Sequence, residues 1–204
     1  MTNIGYSPED TLSATRSVES APLLEMNNIS KRFPGVLALD DVSFNLKAGE
    51  VHVLFGENGA GKSTMISMIA GVYQPTDGTI VFQGKETLLQ SVHHARSLGI
   101  SAVFQEFSLV EQLTVEQNLF LGNEQTSYGF LSRKAAHDEA KRMLDDLGFP
   151  LKPGQKVAYL SRAEQQMVEI AKAFRSDLSV LILDEPTASL TERETNRLFE
   201  LVEQ

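Results

Sequence analysis

The most informative stretch of this chain is Gly56-Glu57-Asn58-Gly59-Ala60-Gly61-Lys62-Ser63-Thr64. It matches the pattern G-x-x-x-x-G-K-[ST], in which a glycine-rich loop between a strand and a helix surrounds the phosphates of a nucleotide. The flanking residues fit that context, because residues 51–55 are apolar and β-branched, and residues 64–70 have the pattern of a packed helix. We therefore predict a buried strand at 51–55, then a phosphate loop, then a helix.

Each residue type in the loop has a chemical reason. Glycine leaves room for backbone N–H groups to approach phosphate oxygens and can adopt positive φ, and Gly56, Gly59 and Gly61 hold such positions. The start of the next helix offers unpaired N–H groups and the positive end of its dipole to an anion. We predict that Lys62 places its ammonium against the β- and γ-phosphates and that the Ser63 hydroxyl binds Mg²⁺. The alternative is a chance match to the pattern.

A pair of carboxylates follows a second apolar run. Residues 179–183 predict a buried strand, and Asp184 and Glu185 come directly after it. Carboxylates at the end of a buried strand are costly unless they hold a metal or do chemistry, and open α/β sheets bind ligands at that end. We predict that Asp184 holds Mg²⁺ through water and that Glu185 polarises an attacking water. The structural alternative is an acidic turn that caps a helix.

Composition limits the classes of function. The chain has 204 residues, a net charge of −9 and no cysteine. The negative charge repels nucleic acid, and the lack of cysteine excludes disulfides and thiolate metal sites. No apolar run approaches the length of about 18 residues that indicates a membrane span. Residues 1–21 are polar and lack the pattern of a secretory signal, so we predict a mobile tail there.

The remaining patterns place further strands and helices. We predict strands at 24–29, 41–46, 79–82 and 101–104, with a break at 31–35. Between residues 114 and 174 the pattern is mainly helical, and one helical face is formed by Ala136, Ala140, Met143, Leu144 and Leu147. Ser161 followed by Glu164 predicts a capping box at the start of another helix. Of the histidines, we place His52 on the strand before the loop, and His93 and His94 on a solvated helix.

The order of these motifs resembles that of the ATP-binding cassette (ABC) transporter ATPases. The shared series is the phosphate loop, a glutamine at a strand end, the segment Leu160-Ser161-Arg162-Ala163-Glu164-Gln165-Gln166, and the apolar run that ends in Asp184-Glu185-Pro186-Thr187-Ala188-Ser189-Leu190. The resemblance implies an α/β P-loop NTPase with a RecA-like core, an antiparallel β edge and a helical ABC subdomain, incomplete at the C-terminus. It implies a cassette at 22–204, divided into a core at 22–104 and 176–204 and a helical subdomain at 105–175.

The resemblance also implies a role for each matching residue. Phe33 lies where the family stacks an aromatic ring on adenine. Gln105 matches a glutamine that touches Mg²⁺ and senses the membrane partner, and Ser161 matches the signature serine that contacts the γ-phosphate of the opposite cassette. The implied nucleotide-binding set is Phe33, Gly56, Glu57, Asn58, Gly59, Ala60, Gly61, Lys62, Ser63, Thr64 and Ser161. The implied metal ligands are Ser63, Gln105 and Asp184, and the implied catalytic residues are Glu185, Lys62 and Gln105.

A subfamily is also indicated. Residues 33–40, 104–106 and 164–171 look like the first cassette of bacterial importers of ribose, galactose, xylose or arabinose. Importers of nucleosides and of quorum-signal sugars share this type of ATPase. The resemblance implies a subunit that binds ATP with Mg²⁺ and hydrolyses it to energise import. Its implied partners are transmembrane permease subunits, a second cassette and, indirectly, a periplasmic sugar-binding protein, at the cytoplasmic face of the membrane and without nucleic acid.

The sequence departs from the family pattern in several places. The signature L-S-G-G-Q is replaced at Arg162, Ala163 and Glu164, Thr191 stands where many families have an aspartate, and no histidine follows His137. The family has a histidine after the catalytic glutamate that contacts the γ-phosphate, so we expect a fragment of a longer protein that alone hydrolyses ATP poorly. Two alternatives stay open: a nucleotide-binding module that does not hydrolyse, and an ABC protein that works on ribosomes or DNA repair.

Overall fold

The structure, a computed structural model, describes residues 21–122, 126–127, 130–131, 133–174, 177–187 and 189–203. The strands are β1 (Leu24–Phe33), β2 (Val36–Leu46), β3 (Asp77–Phe82), β4 (Lys85–Glu86), β5 (Ile100–Val103), β6 (Thr126–Ser127), β7 (Phe130–Leu131) and β8 (Val180–Leu183). The helices are α1 (Lys62–Ile69), α2 (Val92–Ser97), α3 (Val115–Phe120), α4 (Arg133–Leu147), α5 (Arg162–Ala173) and α6 (Glu192–Val202), with a 3₁₀ turn at Val157–Tyr159.

An antiparallel sheet in the order β2-β1-β3-β4 forms one edge of the molecule. The predicted break at 31–35 is too wide, because β1 continues to Phe33 and only residues 34–35 form the turn. The register between β1 and β2 shifts after Met26, and it shifts again on both sides of Lys31, which pairs with Leu39. Such irregularities let the strand continue although its hydrophobic alternation is interrupted. The hydrophobic pattern therefore does not reveal the second half of β1.

The parallel pair β5–β8 lies between two hydrophobic cores. Its register runs from Ile100 opposite Val180 to Val103 opposite Leu183. Side chains alternate across a strand, so Val180 and Ile182 join one core while Leu181 and Leu183 join the other. Burial on both faces is typical of parallel strands and explains the unbroken apolar run that the sequence shows at 180–183.

The two cores separate the elements into groups. The first core contains the buried faces of the antiparallel sheet and α1, with members that include Met26, Ile80, Met65, Met68 and Ile69. The second contains α3, α4, α5 and α6, with members that include Leu119, Leu144, Ile170, Leu198 and Leu201. Helices α5 and α6 begin with capping boxes at Ser161 and Thr191, so the predicted capping box at residue 161 is confirmed. None of the helices within the described ranges is long and apolar enough to cross a membrane.

The segment before the phosphate loop differs from its prediction. Residues 51–55 form no strand, and Val51, Val53 and Phe55 are 69%, 77% and 98% exposed. A strand is held by ladder hydrogen bonds to a neighbour, and no strand among the described residues lies beside this segment. The prediction of a buried strand at 51–55, with His52 on it, is therefore wrong for this structure.

The turn before this segment is held by the Glu50 carboxylate. It accepts a hydrogen bond from the Lys47 backbone N–H at 2.8 Å, and its other oxygen lies 3.0 Å from His52 Nδ1. The bond from Lys47, followed by that from His52, holds the pKa of Glu50 below its ordinary value. His52 itself is exposed and meets the Phe44 ring edge-on, so these contacts fix the turn. After the turn, Leu54 is half-buried against the first core.

The difference in burial between α1 and residues 51–55 predicts a difference in stability effects. Met68 is completely buried in the first core, and we expect Met68→Ala to lower the free energy of unfolding by about 2–5 kcal/mol through lost burial and a cavity. Val53→Ala removes an exposed side chain, and we expect a change of less than about 0.5 kcal/mol. Urea unfolding of both variants measures this, and equal losses would show that residues 51–55 are packed.

Candidate functional site

The phosphate loop has the backbone that its glycines predict. Gly59 and Gly61 have φ of 87° and 83°, in the region that other residues rarely adopt, whereas Gly56 is not in that region. Gly61 is also the N-cap of α1 and brings no side chain to the exposed end of the helix. Because the first amides of a helix have no intrahelical partner, the loop presents unsatisfied donors suited to an anion.

The Lys62 side chain folds over the loop. Its Nζ donates to the carbonyl oxygens of Gly56 at 2.6 Å and Glu57 at 2.9 Å. The ammonium is thus held inside the curve of the loop by neutral acceptors. A phosphate would offer this ammonium charged acceptors, whose hydrogen bonds are roughly twice as strong. Together with the glycine cradle, this donor set fits a nucleotide phosphate.

Space as well as backbone angle requires glycine at position 61. A Cβ there would lie 2.5 Å from Leu39 Cδ2 and 2.7 Å from the Ala38 carbonyl oxygen, closer than real Cβ atoms come. The first residues of β2 therefore pack directly against the loop, and this close approach fixes where α1 begins.

We expect Gly61→Ala to destabilise the protein by about 2–4 kcal/mol, because it combines a strained backbone angle with a collision. Gly35→Ala is the matched control, because Gly35 has φ of 79° but no atom within 4 Å of the added carbon. We expect it to cost about 1 kcal/mol, from the backbone angle alone. Thermal unfolding of both variants measures the difference. Equal losses of stability would show that the contact between residue 61 and β2 does not contribute to the cost.

The carboxyl ends of β5 and β8 bring the other predicted residues together. The strands are parallel and end side by side, so Gln105 and Asp184 follow neighbouring strand ends. The Asp184 backbone N–H donates to the Val103 carbonyl at 3.0 Å, which extends the ladder to the carboxylate itself. Asp184 is half-buried, while Gln105 and Glu185 are exposed. Amide and carboxylate oxygens at one sheet edge can hold a hard divalent cation.

Glu185 has a strained backbone. Its φ of 50° lies in the left-handed region, which costs a residue with a Cβ on the order of 1–2 kcal/mol. The following Pro186 disfavours the right-handed helical conformation at position 185. The chain bends at residues 184–185, directly after β8.

Ser161 and Phe33 already have partners. The Ser161 hydroxyl donates to Glu164 Oε2 at 2.9 Å and accepts from the Glu164 N–H at 3.3 Å. A phosphate contact would require this hydroxyl to turn away from Glu164. The half-buried Phe33 ring meets Tyr73 edge-on, with centroids 5.2 Å apart, and Lys31 Nζ lies 5.2 Å from the Phe33 centroid. These contacts orient the ring on which we predict adenine stacks.

The sequence reasoning missed a group of contacts between the residues after β5 and helix α5. Glu169 is buried and accepts two hydrogen bonds from Ser108, and the Arg162 guanidinium lies over the Phe107 ring. The available signal was a carboxylate at position 169 within the apolar run of α5. The apolar members of that run indicate only which face of the helix is buried, and the departure from the signature at Arg162 does not by itself indicate a partner for its side chain.

Comparison with known proteins assigns the family. A family model described as ABC transporter matches residues 39–188, which include the phosphate loop, both strand ends and α5. The chain belongs to the ABC transporter family. This confirms the family resemblance that the order of the sequence motifs indicated.

The relatives with similar sequences are named as sugar import ATP-binding proteins. The ribose import ATP-binding protein RbsA 1 of Rubrobacter xylanophilus is 52% identical over 181 residues, which are 89% of this chain and 36% of that protein. A putative ribose/galactose/methyl galactoside import ATP-binding protein of Agrobacterium fabrum is 49% identical over 184 residues, with coverage of 90% and 36%. The chain thus spans about a third of the length of these curated relatives.

Solved ABC cassettes share the fold. A nucleotide-free ATP-binding cassette from an ABC transporter matches with a TM-score of 0.77 and 26% identity, covering 90% of this chain and 76% of that one. The dimeric structure of a post-hydrolysis state of a cassette bound to ADP and Pi matches with a TM-score of 0.74 and 26% identity, covering 88% and 81%. The predicted fold class, an α/β P-loop NTPase of the ABC type, is therefore confirmed.

Proposed function

We propose that this chain is the ATP-binding and ATP-hydrolysing cassette of an ABC transporter that imports a monosaccharide. The observation that carries the proposal is the loop at the head of α1, where glycine backbone and the inward-held Lys62 ammonium form a site for phosphate. The names of the sugar-import relatives support the direction of transport and the class of solute.

The predicted site residues divide the work of binding. Lys62 and the amides of residues 59–64 bind the phosphates, and Phe33 stacks on the adenine. Ser63, Gln105 and Asp184 are the oxygen donors that would hold Mg²⁺. When bound, the metal neutralises negative charge on the phosphates. Because phosphoryl transfer requires mostly positioning and electrostatic stabilisation, this division of roles is chemically sufficient for binding and orientation.

Glu185 is the proposed catalytic carboxylate. It lies exposed after β8, where it can orient a water molecule and accept its proton at a carboxylate oxygen. Asp184, one residue before it, would hold the metal. The proposed division into a core at 22–104 and 176–204 and a helical subdomain at 105–175 places Gln105 at the first boundary.

The proposed partners follow from the exposed signature segment. Ser161 lies at the exposed N-terminus of α5, where the phosphates of a second cassette can reach it. A dimer exists in one cassette of similar structure. We propose that permease subunits, which a periplasmic sugar-binding protein supplies, hold the two cassettes at the cytoplasmic face of the membrane.

The direct test is reconstitution with the permease subunits of a monosaccharide importer. We expect the chain to co-purify with them and to release phosphate from ATP faster when a monosaccharide and its binding protein are added. Co-purification with ribosomes or DNA, or phosphate release that no sugar changes, would contradict the proposal.

A second candidate is a nucleotide-binding module that does not hydrolyse. Two observations favour it: Ala163 stands where the family signature has its second glycine, and Glu164 engages the hydroxyl of Ser161. In the same reconstitution, ATP binding without phosphate release would support this candidate over the first.

A further inference from the structure

The residues after β5 are fastened to helix α5 through a buried carboxylate. Glu169 is only 7% exposed, and its Oε1 accepts from the Ser108 backbone N–H at 2.5 Å and from the Ser108 hydroxyl at 2.8 Å. Lys172 Nζ lies 2.8 Å from the same hydroxyl. A buried carboxylate is stable only when its hydrogen bonds are satisfied, so Glu169 and residue 108 hold each other in place.

A second contact joins the same segment to the first turn of α5. The Cζ atom of Arg162 lies 4.2 Å from the centroid of the Phe107 ring, within the range of a cation–π interaction. Arg162 stands where the family signature has its first glycine, and a glycine could not make this contact. The arginine that replaces this glycine therefore has a structural effect, because it attaches the start of α5 to residue 107.

The far end of the segment is fixed by a buried amide. Asn118 is completely buried, and its Oδ1 accepts from the Val110 N–H at 2.7 Å while its Nδ2 donates to the Val110 carbonyl at 3.0 Å. Residues 107–110 are thus held at three points, whereas Gln105 and Glu106 before them are exposed. The fastened part lies directly beside the residue predicted to touch the metal.

We propose that Glu169 and Arg162 are positioning residues that hold the segment at residues 107–108 against α5 and thereby position Gln105. Gln105 lies two residues before this held segment, so the attachment also fixes where the chain carries Gln105 after β5. The roles of Gln105 and Ser161 rest on the proposed function, while the attachment itself rests only on the contacts above.

The test is amide hydrogen exchange at Ser108, followed by NMR in the full 204-residue chain. Glu169→Met keeps the bulk of the side chain but removes its acceptor, and we expect exchange at Ser108 to rise at least about thirtyfold, as for lost hydrogen bonds to a charged group. Glu169→Gln keeps an acceptor oxygen and is the matched control, with an expected rise of about fivefold or less.

Two further readouts separate positioning from general damage. We expect exchange at the Leu144 amide, in α4, and the Kd for ATP to stay within about twofold in both variants, because neither substitution lies in α4 or in the phosphate loop and the opening at Ser108 is local. An equal rise at Ser108 in the two variants, no rise in either, or a parallel rise at Leu144 would overturn the proposal. If the parent chain also fails to bind ATP, the proposed function fails and the exchange result still decides the attachment.

Arg162→Ala provides a test from an exposed position, where folding is not at risk. It removes only the contact with the Phe107 ring, and we expect exchange at Ser108 to rise about two- to tenfold, the range that a cation–π contact supports. If Glu169→Met does not fold, the exchange rate in Arg162→Ala alone tests the attachment to α5. An unchanged rate at Ser108 would show that the first turn of α5 does not hold the segment.

Discussion

Lys62→Ala is expected to weaken ATP binding to this chain at least about thirtyfold. Truncating one partner of a charge pair that is buried on binding costs about 2–5 kcal/mol, and every 1.4 kcal/mol is about tenfold in affinity. In the ligand-free loop the Lys62 ammonium is already held beside the Gly56 carbonyl, so it is oriented before the phosphates arrive. Titration with ATP and Mg²⁺ measures the loss.

The matched control is Lys141→Ala, which removes the same charge from an exposed position on α4. We expect it to leave the Kd for ATP within about twofold, because charges beyond about 10 Å are screened at ordinary salt. Wild-type affinity in Lys62→Ala would show that the glycine loop is not the phosphate site. An equal loss in both variants would show a general effect of net charge.

Glu185→Gln is expected to leave ATP binding nearly unchanged and to slow hydrolysis at least about 100-fold. A positioned general base contributes about 10²–10⁴ to a rate, and an amide cannot accept the proton from water. The substitution keeps the size of the side chain, so the turn at residue 185, with its φ of 50°, has no reason to change. Phosphate release by the reconstituted transporter gives the rate, and titration gives the affinity.

Glu203→Gln, at the exposed end of α6, is the control for loss of one carboxylate. We expect it to retain the parent rate. Unchanged turnover in Glu185→Gln would show that another group orients the attacking water. A parallel loss of ATP affinity would show that Glu185 acts in binding.

Much of the site could be predicted from the sequence because its motifs impose local structure. The glycines at positions 59 and 61 require the backbone that they adopt, and an unbroken apolar run before Asp184 requires a buried parallel strand. The capping box of Ser161 with Glu164 is likewise a local pattern with one geometry. In each case the residues of the sequence motif are the same residues that adopt the predicted local structure.

The features that the sequence did not predict depend on distant residues. Residues 51–55 have the composition of a buried strand, but pairing depends on a neighbour, which composition cannot supply. The bond of Glu169 to Ser108 joins residues 61 positions apart, and the stack of Arg162 on Phe107 likewise requires the tertiary fold. Side-chain periodicity shows which face of α5 is buried, but not which segment packs on it.

The central claim is that the glycine loop and the two strand ends surround one nucleotide. Its most direct test is titration of the chain with ATP and Mn²⁺, a paramagnetic replacement for Mg²⁺ that broadens the NMR signals of nearby amides. We expect the amides of Lys62, Ser63, Asp184 and Glu185 to lose intensity together, at substoichiometric metal and only with ATP present. Loss at the loop with full intensity at residues 184–185, or the reverse, would contradict a shared site.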